Sequence, residues 1–278
     1  MTVPATPAAF DTAPRVMQAR DAALVRIAQV TDTHILAEPG ALMKDMNTRA
    51  SFEAVCADLF AEHADLDLLL ATGDLSQDGS VSSYEYLARQ FDALPCPVFC
   101  LPGNHDDTDL MRTQLESGSV STAKQIEIGA WTILLLDSTI PGEVHGRITS
   151  AELDFMQAVL DEVTDRHVLV CLHHQARPAG SDWIDRLGLE DDYRLRDCLQ
   201  QYAQVRGVLW GHVHQQADWQ LDNISWMSSP STCVQFRPGS EGFALDDVAP
   251  GYRVLDLHAD GRIETSVRRL ARRDFGAS

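Results

Sequence analysis

The sequence contains very few lysines, and its charge is strongly one-sided. Only Lys44 and Lys124 are present, and 22 lysine and arginine residues stand against 41 aspartate and glutamate residues, for a formal net charge of −19. A surface of this charge repels nucleic acids and acidic membranes. We therefore predict neither as a partner. A small anionic substrate is compatible with this charge if bound cations reverse the field locally.

The sequence also lacks the patterns of a disulfide framework, a membrane span and a secretion signal. Its six cysteines form no CxxC pair, and the Ala- and Pro-rich segment 1–21 has no apolar core. No apolar run reaches the roughly 18 residues that a membrane span needs. Free thiols without an export signal are typical of the reducing cytosol. These absences predict a soluble cytoplasmic protein with a flexible tail over residues 1–24.

Apolar strands and amphipathic helices alternate along most of the chain. Strands are predicted at 25–30, 66–71, 97–101, 125–128, 131–136, 167–172 and 205–210, and helices at 48–63, from Ser82 onward and at 149–163. Asn47 is a candidate N-cap of the first helix. Ser82 with Glu85, and Thr149 with Glu152, have the spacing of a capping box. Hairpins are predicted around 222–223 and 260–261. Without an internal repeat or a long polar linker, this pattern indicates a single α/β catalytic domain over residues 25–272.

Five short segments place polar side chains directly after apolar runs. They are Asp32-Thr33-His34, Gly73-Asp74, Gly103-Asn104-His105-Asp106, His173-His174 and Gly211-His212-Val213-His214. Taken singly, Asp-x-His and Gly-Asp are typical of caps and turns, whereas two histidines one residue apart after a strand are a natural ligand pair. Because loops at strand ends gather at one edge of an α/β sheet, we expect the segments to meet there.

The side chains of this set are carboxylates, imidazoles and one amide, with no cysteine among them. Such donors favour hard or borderline divalent ions over thiolate-bound structural zinc. The sequence therefore predicts a catalytic metal centre.

In this order the five segments resemble the signature of the calcineurin-like metallophosphoesterases. The stretches GDLSQD from Gly73, LPGNHD from Leu101 and SPSTCVQF from Ser229 are similar to those of the class III cyclic nucleotide phosphodiesterases. The resemblance covers about residues 26–270. It implies a four-layer αββα sandwich of two mixed β-sheets flanked by helices. It also implies a hydrolase that converts 3′,5′-cyclic AMP to 5′-AMP and so lowers intracellular cyclic AMP.

The resemblance further implies a role for each matching residue. Asp32, His34 and His214 would bind one divalent ion, Asn104, His173 and His212 a second, with Asp74 bridging both. The phosphate would be contacted by His34, Asp74, Asn104, His105 and His214, and His145 and His174 are further substrate-contact candidates. The chain departs from many relatives at Ala176, because they have a proline shortly after the histidine pair.

The mechanism expected from this site is in-line attack on phosphorus by a hydroxide that bridges two ions roughly 3.5–4 Å apart. His105 would be the general acid that protonates the leaving 3′-oxygen. Iron is the metal that the resemblance favours, with manganese, zinc, cobalt and magnesium as alternatives. A homo-oligomer is compatible with the sequence, which does not define the assembly.

Two other functions are compatible with the same motifs. The first is a related phosphoesterase that acts on 2′,3′-cyclic nucleotides, glycerophosphodiesters or dinucleotide pyrophosphates. The second is a non-catalytic, protein-binding scaffold of the same fold, although such scaffolds usually lack one or more of the ligand residues retained here. A protein Ser/Thr phosphatase is disfavoured because His105 is followed by Asp106 where that family has glutamate.

Overall fold

The computed structural model describes residues 11–271 and residue 275. The strands are, in chain order, β1 (Arg15–Met17), β2 (Leu24–Val30), β3 (Leu68–Thr72), β4 (Val98–Leu101), β5 (Val120–Ser121), β6 (Gln125–Ile128), β7 (Trp131–Leu135), β8 (His167–Cys171), β9 (Val205–Trp210), β10 (Ala217–Leu221), β11 (Ile224–Ser228), β12 (Gln235–Phe236), β13 (Leu245–Asp246), β14 (Gly251–His258) and β15 (Ile263–Arg269). The helices are α1 (Thr48–Glu62), α2 (Val81–Asp92), α3 (Thr108–Leu115), α4 (Ser150–Glu162), α5 (Asp182–Asp185) and α6 (Asp192–Leu199).

The strands form two large sheets in which parallel and antiparallel neighbours are mixed. The order is β1-β6-β7-β8-β9-β11-β10 in the seven-stranded sheet and β15-β14-β2-β3-β4-β5 in the six-stranded sheet. Strands β2 to β4 are parallel neighbours in the smaller sheet, and β7 to β9 are parallel neighbours in the larger one. Within each group, the carboxyl ends of the strands therefore lie at one edge of the sheet.

The hydrophobic core consists of three clusters that separate four layers. One cluster packs α1, α2 and α3 against the six-stranded sheet, and a second packs α4, α5 and α6 against the seven-stranded sheet. The third lies between the two sheets, where Leu68 and Leu70 meet Ile133 and Leu169. This arrangement confirms the α/β prediction and the four-layer αββα sandwich.

The central strands are apolar throughout because both of their faces are covered. In β2, Val25 and Ile27 belong to the cluster between the sheets, whereas Ala28 and Val30 face the helices. Successive side chains of a strand point to opposite faces, so each face here needs its own apolar residues. Full burial of one Ile or Leu side chain stabilises the fold by roughly 1.5–3 kcal/mol.

The helix starts confirm two of the predicted caps and correct a third. Asn47 caps α1 by accepting from the backbone N–H of Ala50, and Thr149 caps α4 by accepting from that of Glu152. The cap of α2 is Ser80 rather than the predicted Ser82, and it accepts from the backbone N–H of Ser83. Ser82 is already the second residue of that helix, whereas an N-cap residue has a non-helical backbone, which here is found at Ser80.

Part of the segment predicted as a flexible tail forms a strand instead. Arg15–Met17 pair in parallel with β6, with Val16 opposite Glu127. Residues 1–10 of the predicted tail, and the predicted domain end at residue 272, lie outside the described residues. The ordering of residues 15–17 depends on an edge of the seven-stranded sheet that is distant in sequence.

Within the described ranges, no helix is long and apolar enough to cross a membrane. The six cysteines are unpaired and buried. Cys171, which lies in the strand predicted at 167–172, is fully buried between the sheets.

Candidate metal centre

The five predicted segments follow five strands that end close together. Asp32 and His34 follow β2, Asp74 follows β3 and Asn104 follows β4, all in the six-stranded sheet. His173 follows β8, and His212 and His214 follow β9, in the seven-stranded sheet. The backbone N–H of His212 donates to the carboxylate of Asp32 at 3.0 Å, so the two sheets meet at these loops.

Most of the predicted ligands have a backbone conformation that non-glycine residues rarely adopt. Positive φ angles of 54°, 46°, 49°, 64° and 47° occur at Asp32, His34, Asp74, His212 and His214. Left-handed backbone costs an L-residue roughly 1–2 kcal/mol. Strain of this kind persists where the surrounding structure enforces it, and it concentrates at functional sites. Here the left-handed conformation turns the backbone sharply after a strand, so that alternate residues can face one centre.

Two glycines of the motifs allow the loops to approach one another closely. A Cβ on Gly103 would lie 2.2 Å from the backbone nitrogen of Asp74, and one on Gly211 would lie 2.1 Å from Oγ1 of Thr31. Any side chain at either position would therefore separate two of the ligand-bearing loops.

On one side of the site, Asp32, His34 and His214 come together. Nε2 of His214 lies 3.2 Å from Oδ1 of Asp32 and 3.2 Å from Nε2 of His34. Nε2 of His34 lies 3.7 Å from Oδ2 of Asp74. The rings of His34 and His214 are each held through Nδ1, the nitrogen farther from the centre. Nδ1 of His34 is 2.7 Å from Oε1 of Gln77, and Nδ1 of His214 is 2.7 Å from the carbonyl oxygen of Val234. With Nδ1–H donating to these oxygens, the lone pair of each Nε2 faces inward, as in metal-bound histidines.

On the other side of the site, three buried atoms of the kinds that bind metal ions have no hydrogen-bond partner within the described structure. They are Oδ1 of Asn104, Nε2 of His173 and Nε2 of His212. Buried polar atoms are nearly always paired, and an unpaired one costs roughly 1–3 kcal/mol. Nε2 of His173 lies 3.3 Å from Oδ2 of Asp74, and its Nδ1 is 3.0 Å from the carbonyl oxygen of Thr72. A cation at this position would satisfy all three atoms, so the residues fit a second metal ion.

The electrostatics of the centre also suit cations. Burial lowers the pKa of His212 to about 3 and that of His34 to about 4, so both imidazoles are neutral, the form that binds metals. Burial opposes protonation of His173 as well, but Asp74 raises its pKa to about 9, so a metal ion bound at Nε2 of His173 would displace a proton from it. Burial opposes ionisation of Asp74, yet His173 and His34 hold its pKa well below the usual range. The carboxylate of Asp74 is thus ionised and attracts positive charge.

His105 lies at the solvent-facing side of this cluster. Its backbone N–H donates to Oδ1 of Asp74 at 2.9 Å, and its Nδ1 is 3.1 Å from Nε2 of Gln77. Its ring centroid lies 5.0 Å from that of His34. His105 is exposed, so it can reach a group bound over the centre.

Asp106 clamps two ligand loops together, a role that the sequence reasoning missed. Its Oδ1 accepts from the backbone N–H of Ser76 and from the hydroxyl of Tyr84, at 2.9 and 3.0 Å. Its Oδ2 accepts from the backbone N–H groups of Leu75 and Gly103, at 3.1 and 2.9 Å. Its place after Gly-Asn-His was the available signal, but its partners are set by tertiary structure.

The two further substrate-contact candidates have different surroundings. His174 is fully buried, with Nδ1 2.8 Å from Oγ of Ser138 and Nε2 3.1 Å from the carbonyl oxygen of Val144. Both of its nitrogens therefore have partners within the fold. His145 is partly exposed, and its Nε2 lies 2.8 Å from Oε1 of Glu190.

The fold and this donor set define a metallophosphoesterase, and residues 25–216 match the family described as Calcineurin-like phosphoesterase. The chain belongs to this family, which confirms the resemblance seen in the sequence. Together with the histidine and aspartate clusters that could hold metal ions, membership indicates a binuclear divalent metal centre.

Known proteins of similar sequence and fold agree with this assignment. The chain is 44% identical over 248 residues to a protein of Pseudomonas aeruginosa named 3′,5′-cyclic adenosine monophosphate phosphodiesterase CpdA, covering 89% of this chain and 91% of that protein. It is 40% identical over 250 residues to the Escherichia coli K12 protein of the same name, covering 90% and 91%. A dimetal phosphatase from Danio rerio shares the fold, with a TM-score of 0.61 at 14% identity and coverage of 90% and 100%.

Proposed function

We propose that this chain is a metal-dependent phosphodiesterase that hydrolyses 3′,5′-cyclic AMP to 5′-AMP. The observation that carries the proposal is the set of three buried, unpartnered donor atoms on Asn104, His173 and His212, on loops that meet at the ionised Asp74. A cation bound between these loops would satisfy all three atoms. The names of relatives that are 40–44% identical over most of the chain support cyclic AMP as the substrate.

We assign the predicted ligands to two ions. Asp32, His34 and His214 would hold the first ion, which the short distances among their inward-facing atoms support. Asn104, His173 and His212 would hold the second, and Asp74 would bridge the two because its carboxylate approaches both groups. Because both sheets supply ligands, we also propose that residues 25–272 act as one catalytic domain.

Two divalent ions in this centre would neutralise the phosphate oxygens and lower the pKa of a water molecule between them. The residues of the chain position the substrate and support the loops. His34, Asp74, Asn104 and His214 fix where the phosphate can lie, and Asp106 and Gln77 hold the loops that carry them. A rigid site of this kind lowers the entropic cost of reaching the transition state.

His105 is the proposed general acid. It is bound to Asp74 through its backbone and leaves its imidazole exposed beside the centre, in the wall of a cavity. Protonation of the leaving 3′-oxygen by the imidazolium form would open the cyclic ester, and the proton would be regained from solvent. General acid catalysis typically contributes about 10²–10⁴-fold to the rate.

Iron is the metal that we propose for the centre, with manganese, zinc, cobalt or magnesium as alternatives. The mixed oxygen and nitrogen ligands accept each of these ions, and availability in the cell decides among them. The cytoplasmic location and the oligomeric state stay predictions from the sequence.

Product analysis in defined metals tests the function. The purified chain, reconstituted with iron or manganese, is given 3′,5′-cyclic AMP, 2′,3′-cyclic AMP, cyclic GMP and a dinucleotide pyrophosphate in parallel. We expect 5′-AMP from the first at the highest kcat/KM. Rapid hydrolysis of another ester, with little hydrolysis of 3′,5′-cyclic AMP, would contradict the proposed substrate but not the assignment to the family.

Metal analysis of one variant pair tests the centre. Asn104→Ala should lose about one ion per chain, because it deletes an oxygen of the second ion's ligand set. Asn223→Ala, in the exposed turn between β10 and β11, should keep both ions and full activity. A wild-type chain with no metal and no activity after reconstitution would instead favour a protein-binding scaffold.

A further inference from the structure

A cavity of about 740 Å³ lies beside the proposed second ion, with Asn104 and His105 in its wall. Another part of the wall consists of Thr139, Ile140 and Pro141. The volume falls within the roughly 300–1,000 Å³ of small-molecule sites in proteins. A ligand whose phosphate lies on the metal centre can therefore extend into this space.

The charge of the cavity wall restricts what can extend there. Asp78, Asp107, Asp109 and Asp137 all line it, and Arg112, which also lines it, has its guanidinium 3.8 Å from the carboxylate of Asp109. A second phosphate group would meet several carboxylates at close range, and like charges repel most strongly where water is partly excluded. The wall accepts an uncharged group attached to the reacting phosphate. A nucleoside has that character, and a dinucleotide pyrophosphate does not.

Residues 138–147 form a loop, here called the wall loop, that carries the Thr139–Pro141 part of the wall. Its ends are joined by a hydrogen bond from the backbone N–H of Arg147 to the carbonyl oxygen of Ser138, at 3.0 Å. A turn at its tip is closed by a bond from the N–H of Glu143 to the carbonyl oxygen of Ile140, at 3.0 Å. Both bonds are local to the loop. Its Gly146 end is also tied to a neighbouring segment, because the N–H of Gly146 donates to the carbonyl oxygen of Gly188 at 3.1 Å and its carbonyl oxygen accepts from the N–H of Glu190 at 2.9 Å. The part of the loop between Ser138 and Val144 depends on other contacts with the fold.

His174 supplies such contacts from beneath the loop. Oγ of Ser138 accepts from the backbone N–H of His174 at 3.2 Å and lies 2.8 Å from its Nδ1, while Nε2 lies 3.1 Å from the carbonyl oxygen of Val144. One tautomer satisfies every group: Nε2–H donates to Val144, and Nδ1 accepts from the hydroxyl of Ser138. A Cβ on Gly146 would lie 2.4 Å from Cγ of His174, so the loop backbone rests on the ring.

We propose that this cavity binds the nucleoside part of the substrate and that His174 is a positioning residue that fixes the wall loop against it. The proposal rests on the proposed phosphodiesterase function and adds the subsite that selects the substrate. His174 follows the proposed ligand His173 directly, and its ring centroid lies 5.0 Å from that of His173 and 4.8 Å from that of His212. A variant at His174 must therefore be compared on a substrate that reports on the metal centre alone.

The first test fills the cavity. Ile140→Trp, in the reconstituted full-length enzyme, should raise KM for 3′,5′-cyclic AMP about tenfold or more, since pockets discriminate by about 10–200-fold per small change in fit. Methyl p-nitrophenyl phosphate, a diester without a nucleoside, should be hydrolysed at the wild-type rate. Val16→Trp is the matched control, because Val16 is 75% exposed on β1 and does not line the cavity. An unchanged KM for cyclic AMP in the Ile140 variant overturns the assignment of the cavity.

The second test releases the wall loop. His174→Ala should raise KM for cyclic AMP about tenfold, because loss of both bonds loosens the part of the wall between Ser138 and Val144 and so changes the fit of the cavity. It should retain two ions per chain and lose less activity on methyl p-nitrophenyl phosphate than on cyclic AMP. His174→Asn, which can keep the bond to Ser138, should have a KM for cyclic AMP between those of the wild type and of His174→Ala. Equal losses on both substrates together with loss of metal would show that His174 supports the centre itself, which overturns its role at the wall. A wild-type enzyme that hydrolyses methyl p-nitrophenyl phosphate but not cyclic AMP refutes the proposed function, and this inference with it.

Discussion

Replacing Gly103 with alanine should damage the metal centre without removing any proposed ligand. The new Cβ would lie 2.2 Å from the backbone nitrogen of Asp74 and 2.3 Å from its Oδ1, whereas real Cβ contacts are essentially never shorter than 3.0 Å. The loop after β4 must therefore move away from the loop after β3 by about 1 Å, because backbone atoms cannot turn aside as a flexible side chain can.

That displacement sets the expected magnitude. Asn104 follows Gly103 directly, and a shift of about 1 Å in a catalytic group costs about 10²-fold in rate. The backbone of Gly103 has no positive φ, so the effect is steric rather than conformational. Forced overpacking should also lower the free energy of unfolding by roughly 1–3 kcal/mol.

The measurements are kcat/KM for 3′,5′-cyclic AMP, ions bound per chain and stability to denaturant. Gly40→Ala is the control, since a Cβ there has no atom within 4 Å. A Gly103→Ala enzyme with wild-type activity and two bound ions would refute the argument that the two loops must touch for the centre to form.

Three further predictions concern single side chains. His105→Ala should reduce kcat by about 10²–10⁴-fold with metal content unchanged, and a variant that instead lost metal but kept its activity per ion would contradict the general-acid role. Asp106→Asn should destabilise the fold by roughly 1–3 kcal/mol in denaturant titration. Either orientation of the amide points its NH₂ at one or more backbone N–H groups that now donate to a carboxylate oxygen. Unchanged stability would show that the clamp is dispensable. Burial raises the pKa of Cys56 and of Cys233 to about 12, so neither thiol should react with iodoacetamide at pH 8 unless the protein is denatured, and labelling of either in the native state, seen by mass spectrometry, would show that its surroundings open.

The sequence was sufficient to predict those features that depend on short-range patterns. Continuous apolar runs identified the central strands because these are covered on both faces, and Asn47 and Thr149 identified two helix starts through their side-chain oxygens. The five polar segments were predicted to meet because parallel strands end at a common edge. The structure brings side chains from all five segments into adjoining groups that are buried except at His105.

Features that depend on distant partners could not be predicted in this way. Strand β1 exists because β6, more than a hundred residues away, offers it an edge. The roles of Asp106 and His174 are set by Tyr84, Ser138 and Val144, which no local pattern connects to them. A local pattern can also mislead. The spacing of Ser82 and Glu85 predicted a helix start at Ser82, but the helix is capped by Ser80.

The division of the ligands between the two sheets has a mechanical consequence. Asp32 and His34 belong to one sheet and His214 to the other, and the second set is divided in the same way between Asn104 and the pair His173 and His212. Each proposed ion would therefore be coordinated from both sheets and would link the two halves of the sandwich. Force that pulls the sheets apart would have to rupture coordination bonds at this end, so the loaded protein should resist mechanical separation more than the metal-free chain.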